Sequence, residues 1–189
     1  MKKATKIIAL LLCAVLLVGA SVAGTLAYLT STGSVTNTFT VGEVEITLKE
    51  KALDVETGKQ QTGGTPVTGL QEIKLIPGRT IEKEPFITVG DDSEDCWLFV
   101  KVENGLEGAG EITWAEGDWT QINGTNYWKY KETVSAEAVV TVFTGFVCDK
   151  DLGHDDLDDF EGAEIVITAY AIQSEGVSAD AAWDAVKNL

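Results

Sequence analysis

Trp97-Leu-Phe-Val-Lys-Val102 decides the fold class. The run is apolar on both faces apart from Lys101, as a central strand between two packed layers must be. Working outward, the chain keeps the two-residue period of strands. Val35, Asn37, Phe39 and Val41 alternate on odd positions, then Val44, Ile46 and Leu48 on even ones. The phase slip at Gly42-Glu43 reads as a bulge or a bend between two strands. Residues 54–68, with Gly58, Gly63, Gly64 and Pro66, read as a polar loop. Leu70–Ile76 reads as a short strand closed by the turn pair Pro77-Gly78. Thr80–Val89 reads as an extended stretch that Pro85 places at an edge or at an interruption. Glu111–Trp114, Trp119–Ile122 and Tyr127–Tyr130 form an expected meander, with Asn123-Gly124 as a two-residue hairpin turn. Ala138–Val147 and Ala163–Gln173 are the two longest late strands. Only Ser178–Leu189 has a helical pattern, with Ser178 as cap and Ala182, Trp183, Val186 and Leu189 on one face. The expected class is all-β, an antiparallel β-sandwich with a short C-terminal helix.

The composition excludes several functions. The 189 residues carry 14 Lys and Arg against 30 Asp and Glu. Residues 1–27 hold three Lys and no acid, so the remainder has 11 basic against 30 acidic groups, a net charge of −19. Such a chain repels phosphate backbones and anionic lipid, which argues against nucleic-acid binding and peripheral membrane docking. Hydrophobic residues make up 44%, with five Trp, six Phe and four Tyr, enough for a packed core. A single His removes every multi-His metal site and most His-based catalysis.

The N-terminus has the order of an export signal. Lys2, Lys3 and Lys6 precede an uncharged apolar run, Ile7–Val18, followed by small residues to Gly24. This signal helix would be removed after Ala23 or after Ala27. If it stays uncleaved, Ile7–Leu29 is long enough to span a bilayer, and that is the one membrane contact expected. Outside the cell Cys96 and Cys148 could pair, each lying at the end of an expected strand. If those strands neighbour one another, the bridge would close a loop of about 50 residues and add roughly 4 kcal/mol in the chain-entropy model. Two free buried thiols are the alternative.

Four landmarks together resemble the TasA/camelysin family of Gram-positive exported proteins, which depend on a SipW-type signal peptidase. They are Gly24-Thr-Leu-Ala-Tyr-Leu-Thr30, Asn37-Thr-Phe-Thr-Val-Gly-Glu-Val-Glu-Ile46, Leu75-Ile-Pro-Gly78 and Ala169-Tyr-Ala-Ile-Gln173. The resemblance implies cleavage between Ala27 and Tyr28, a jelly-roll-like sandwich over residues 43–189 with its helix at 178–189, and secretion to the cell surface or extracellular matrix. It also implies self-assembly, with other matrix proteins as further partners. In TasA-like fibres the mature N-terminal segment completes the next subunit's sheet. Here residues 28–42 are the corresponding segment. Tyr28–Val41 is uncharged, and Val35, Phe39 and Val41 alternate as a donor strand requires. Pairing of the same residues within their own domain is the plainer alternative.

Chemistry is sparse. Camelysin-like members have been classed as metallopeptidases, but the helical His-Glu-x-x-His pair that holds zinc is absent. No catalytic residue is expected, and no cofactor is required. The acidic loop Asp149–Glu161 carries seven carboxylates and could bind Ca²⁺, with Asp149, Asp151, Asp155 and Asp156 as ligands. Its spacing is not that of an EF-hand, and a solvated loop is the ordinary reading. Trp114, Trp119, Tyr127, Trp128 and Tyr130 would suit a monomeric surface module for glycan or host protein if exposed. Cross-strand packing is their ordinary use.

Overall fold

The computed structural model describes residues 43–68, 71–115 and 117–189, and these form one compact unit. The chain there is mostly β, with antiparallel sheets, a short C-terminal helix and no closed barrel. The strands are β1 (Ile46–Glu50), β2 (Leu53–Asp54), β3 (Lys59–Gln60), β4 (Thr80–Ile81), β5 (Pro85–Val89) and β6 (Cys96–Asn104). They continue as β7 (Gly110–Trp114), β8 (Trp119–Gln121), β9 (Tyr127–Val134), β10 (Val139–Thr141), β11 (Phe143–Cys148) and β12 (Ile165–Gln173). Two helices, α1 (His154–Asp158) and α2 (Ala179–Val186), complete the described elements.

β6 is the central strand that its sequence demands. It pairs with β12 on one side and β9 on the other, and β8 extends the sheet beyond β9. Both faces of β6 are covered. Leu98, Val100 and Val102 meet Ile87 and Val89 of β5 and Val140 of β10 in the largest apolar cluster. Phe99 faces the other way, onto Ala182 and Val186 of α2. That helix starts where Ser178 Oγ accepts from Ala181 N–H, and the Trp97 indole donates to Val177 O at 2.9 Å, tying its entry to β6. The helix ends sooner than its pattern suggests, and Leu189 lies in solvent at 86% exposure.

Thr80–Val89 and Ala138–Val147 each break into two strands at the same level. Thr88 and Phe86 sit opposite Val139 and Thr141, while Ile81 and Thr80 sit opposite Phe146 and Val147. One unshifted register therefore runs through a ribbon that bends between two sheets, β1–β5–β10 and β4–β11–β7. Pro85 stands at the bend as the first residue of a central strand. Only the interruption half of the sequence expectation holds, because β5 has neighbours on both sides. Gly145 and Gly110 permit the close approach nearby. A Cβ on Gly145 would lie 2.7 Å from Ile81 O, and one on Gly110 only 2.1 Å from Val147 O.

Other expectations are corrected. β7 pairs with β11 rather than β8, so the expected meander is only a β8–β9 hairpin. The last bonded pair is Ile122 with Tyr127, which leaves a four-residue loop. Gly124 takes the positive φ while Asn123 does not, so the type I′ turn of a two-residue hairpin is not made. Residues 71–76 form no strand, although Ile73 and Leu75 still pack inward on Leu53, Ile81 and Phe146. Part of the expected loop 54–68 is a small β2–β3 ribbon.

Candidate assembly edge

The cleavage pair Ala27 and Tyr28 and the donor positions Val35, Phe39 and Val41 lie outside the described residues. Cys96 and Cys148 lie within them, both buried and both free. The strands that carry them belong to different sheets, and the thiols sit in separate apolar clusters, so the bridge that neighbouring strands would have allowed is not made. Burial, reinforced by Asp95, pushes the Cys96 thiol up to about 11, and burial beside Asp149 raises Cys148 as well. Both are poor nucleophiles in the folded chain.

Asp149, Asp151, Asp155 and Asp156 are exposed, and among the described residues no group of three or more His, Cys, Asp or Glu is placed to hold a metal ion. Their carboxylates serve local needs. Asp149 accepts from the Asp151 N–H, Asp156 accepts from the Gly153 N–H at the start of α1, and Asp151 pairs with Lys150. The aromatic cluster is spent on packing. Trp114 stacks on Trp128 at 4.4 Å between ring centres, Trp119 meets Tyr130 edge-on at 5.2 Å, and Tyr127 meets Trp183 edge-on at 5.1 Å. Trp119 and Trp128 are half-buried rather than offered to solvent.

What distinguishes the molecule is how its sheet edges are treated. An edge presents a row of free N–H and C=O groups and is normally blunted. On β1, Glu50 exchanges both backbone bonds with Val67, each at 2.8 Å. Beneath it Lys83 Nζ lies 2.6 Å from Glu50 Oε1 and 2.7 Å from Oε2; only the second contact is aligned as a hydrogen bond, and the first is a charge contact. Beside β4, Gly58 O takes the Glu82 N–H at 2.8 Å. On β10, the bonds from Val89 N–H to Ala138 O and from Val142 N–H to Pro85 O fix the alternation, so Val139 and Thr141 point outward. The Trp119 indole then caps Thr141 O at 2.9 Å. β8 has three residues, and β7 has five with Glu111 among them.

Among the described residues, β12 has none of these devices. It is nine residues long, Ile165-Val-Ile-Thr-Ala-Tyr-Ala-Ile-Gln173, without a charge, a Pro or a Gly. Gly105 N–H donates to Glu164 O at one end of its ladder with β6, and Ser174 N–H donates to Asp95 O at the other. The pairing between them has no bulge. Even-numbered residues therefore bond to β6, and the N–H and C=O groups of Ile165, Ile167, Ala169, Ala171 and Gln173 point away from it. Among the described residues no backbone group meets them. The core beneath is also unfinished. Ile165, Ile167, Ala169 and Ala171 pack on the main cluster yet stay half-buried, as do Ile46 and Leu48 on the neighbouring β1 and Val44 just before it, whereas Leu98 and Val100 of β6 are 0% exposed. Among the described residues, the result is an open seam along β1 and β12.

Sequence reasoning recognised β12 as a strand but not as an edge. The signal it carries is a long uncharged run without a breaker, which marks either a central strand or an edge awaiting a partner. No family model matches the chain, and no curated protein or solved structure matches it either.

Proposed function

We propose that this is an exported structural protein of the cell surface or extracellular matrix, of TasA/camelysin type, that self-assembles by strand addition. It is a jelly-roll-like β-sandwich without catalytic function, and Tyr28–Val41 is its donor strand, released when a SipW-type peptidase cuts between Ala27 and Tyr28. The layering supports the fold. With β4/β5 and β10/β11 each counted as one bent strand and the separate β2–β3 ribbon set aside, eight strands fall into two layers of four, β1–β5–β10 continued by β4–β11–β7 and facing β12–β6–β9–β8.

The observation that carries the function is the nine-residue edge of β12, unpaired among the described residues and lying above a half-covered core. Such an edge suits strand pairing, because the strand itself carries no charge, Pro or Gly to oppose it. An uncharged segment with apolar side chains at alternate positions matches it in both respects. The test is size-exclusion chromatography with negative-stain microscopy on the chain beginning at Tyr28, beside one lacking Tyr28–Val41. Filaments or an oligomer ladder from the longer chain alone are expected. Equal assembly by both, or two folded monomers, would overturn strand addition.

A further inference from the structure

We infer that Lys83 and Gln71 join through an amide bond within the chain, with loss of ammonia, and that Glu50 carries the protons. The bond forms once per chain and nothing turns over. The inference is independent of strand addition and of the β12 edge.

Three side chains from three segments meet here. Glu50 ends β1, Gln71 lies in the stretch 71–76 that forms no strand, and Lys83 sits between β4 and β5. Both nitrogens hang on one carboxylate oxygen. Lys83 Nζ donates to Glu50 Oε2 at 2.7 Å, and Gln71 Nε2 donates to the same atom at 3.0 Å. Amine and amide are therefore no more than two hydrogen-bond lengths apart. The amide is also held at its other positions. Its oxygen accepts the Leu53 N–H at 2.8 Å, and its nitrogen donates a second time, to Lys51 O at 3.2 Å. A donor at one end and two acceptors at the other fix which end is nitrogen.

Little water reaches the group. The Glu50 side chain is 11% exposed and that of Lys83 18%. Glu50 Oε1 is buried and makes no aligned hydrogen bond, although Lys83 Nζ lies 2.6 Å away. Moving one proton across that contact leaves a neutral amine beside a carboxylic acid, and a desolvated site favours the neutral pair. An unprotonated lysine amine is a nucleophile.

The reaction balances on these groups alone. Lys83 Nζ passes a proton to Glu50 Oε1, and its freed electron pair attacks Cδ of Gln71. Negative charge gathers on Gln71 Oε1, where the Leu53 N–H already points. Glu50 gives its proton to Nε2 as the Cδ–Nε2 bond breaks, then relays a second proton from Nζ to the departing ammonia, which leaves as ammonium. Nζ keeps one hydrogen, the Nζ–Cδ bond replaces Cδ–Nε2, and no oxidant or reductant is consumed. The product ties the stretch 71–76 to the corner ahead of β5.

The same residue types meet again at Lys51, Glu84 and Gln60, with contacts of 2.6 Å on each side of the carboxylate. There the Lys51 side chain is 45% exposed, and the two nitrogens take different oxygens. Among the described residues no N–H meets the Gln60 amide oxygen. That trio is the internal control.

The experiment is mass spectrometry on the purified, unsubstituted chain, intact and after trypsin. The intact mass should fall short of the sequence by one ammonia. Trypsin cuts after Lys59, Lys74, Arg79 and Lys101, so residues 60–74 and 80–101 should emerge as one branched peptide. That peptide distinguishes the bond from ammonia lost at Asn123-Gly124. Lys83→Arg, which keeps the charge, and Glu50→Gln should each abolish it. A parent chain that stays unlinked through prolonged incubation in its folded state would overturn the inference, and this reading needs no variant to fold. Full linkage in Glu50→Gln would overturn the role of Glu50. A bond between Lys51 and Gln60 in place of the Lys83 bond would overturn the choice of site.

Discussion

β10 and β12 are both outer strands, and they are finished in opposite ways. β10 is three residues long, and its outward Thr141 carbonyl is bonded to the Trp119 indole. β12 is three times as long, uncharged, and meets no backbone group outside β6 among the described residues. A sheet edge that stays unblunted across nine residues among the described residues, beside other edges that are blunted, is informative, because the same sequence evidently has the means to close one. The sharpest way to break the comparison is a proline on each edge at a residue whose N–H points outward. Ala171→Pro should leave the β6 ladder whole yet lower the association constant about a hundredfold or more, through a lost bond and a ring in the donor's path. Val139→Pro on β10 should leave assembly unchanged. Light scattering against concentration checks both, and equal effects would dissolve the distinction between the two edges.

The next largest effect belongs to the donor. Phe39→Ala should weaken association by about 2–3 kcal/mol, the value of one large apolar side chain kept from a core. The critical concentration would rise by tens-fold without any change in the melting temperature of the dissociated chain. Should the monomer melt earlier too, Phe39 packs in its own domain. Trp119→Phe sharpens the comparison from the closed side. It keeps a ring against Tyr130 but leaves Thr141 O without its donor, for about 1–2 kcal/mol of stability and a few degrees in melting temperature.

How much of this was legible beforehand varies along the chain. The two-faced apolarity of Trp97–Val102 correctly placed β6 at the centre, because a strand covered by a sheet on one side and a helix on the other has no polar face to show. The bent ribbon was not legible. Periodicity of two survives a bend, so Ala138–Val147 read as one strand although its halves serve different sheets. The hairpin at Asn123-Gly124 is right in kind and wrong in length, since the last bonded pair is Ile122 with Tyr127 and the Thr125 N–H turns back to Ile122 O inside the loop. The pairing of Cys96 with Cys148 hung on strand adjacency, a long-range property that spacing does not encode. The edge character of β12 is of the same kind. Its residues are those of a buried strand, and only the neighbours β6 and β1 reveal that one side is vacant among the described residues.

The smallest effect concerns Glu84, which braces the closed side. Its carboxylate sits 2.6 Å from Lys51 Nζ and 2.6 Å from Gln60 Nε2, with Thr141 of β10 as a further partner. Burial alone would raise its pKa, but the hydrogen bonds from Lys51, Gln60 and Thr141 together with the Lys51 charge outweigh it, and the group is held below the ordinary carboxylate range. A carboxylate depressed on folding contributes stability above its unfolded pKa and loses it as pH falls through the folded one. The pair is partly in solvent, so the contribution is about 1 kcal/mol or less. Urea midpoints for the parent and Glu84→Gln should therefore differ near neutral pH and converge in acid below the carboxylate range. A gap that stayed constant with pH would show that the substitution acts through packing instead. Because Glu84 touches β10 and not β12, the variant should assemble as the parent does at neutral pH, separating the stability of the finished edge from the use of the open one.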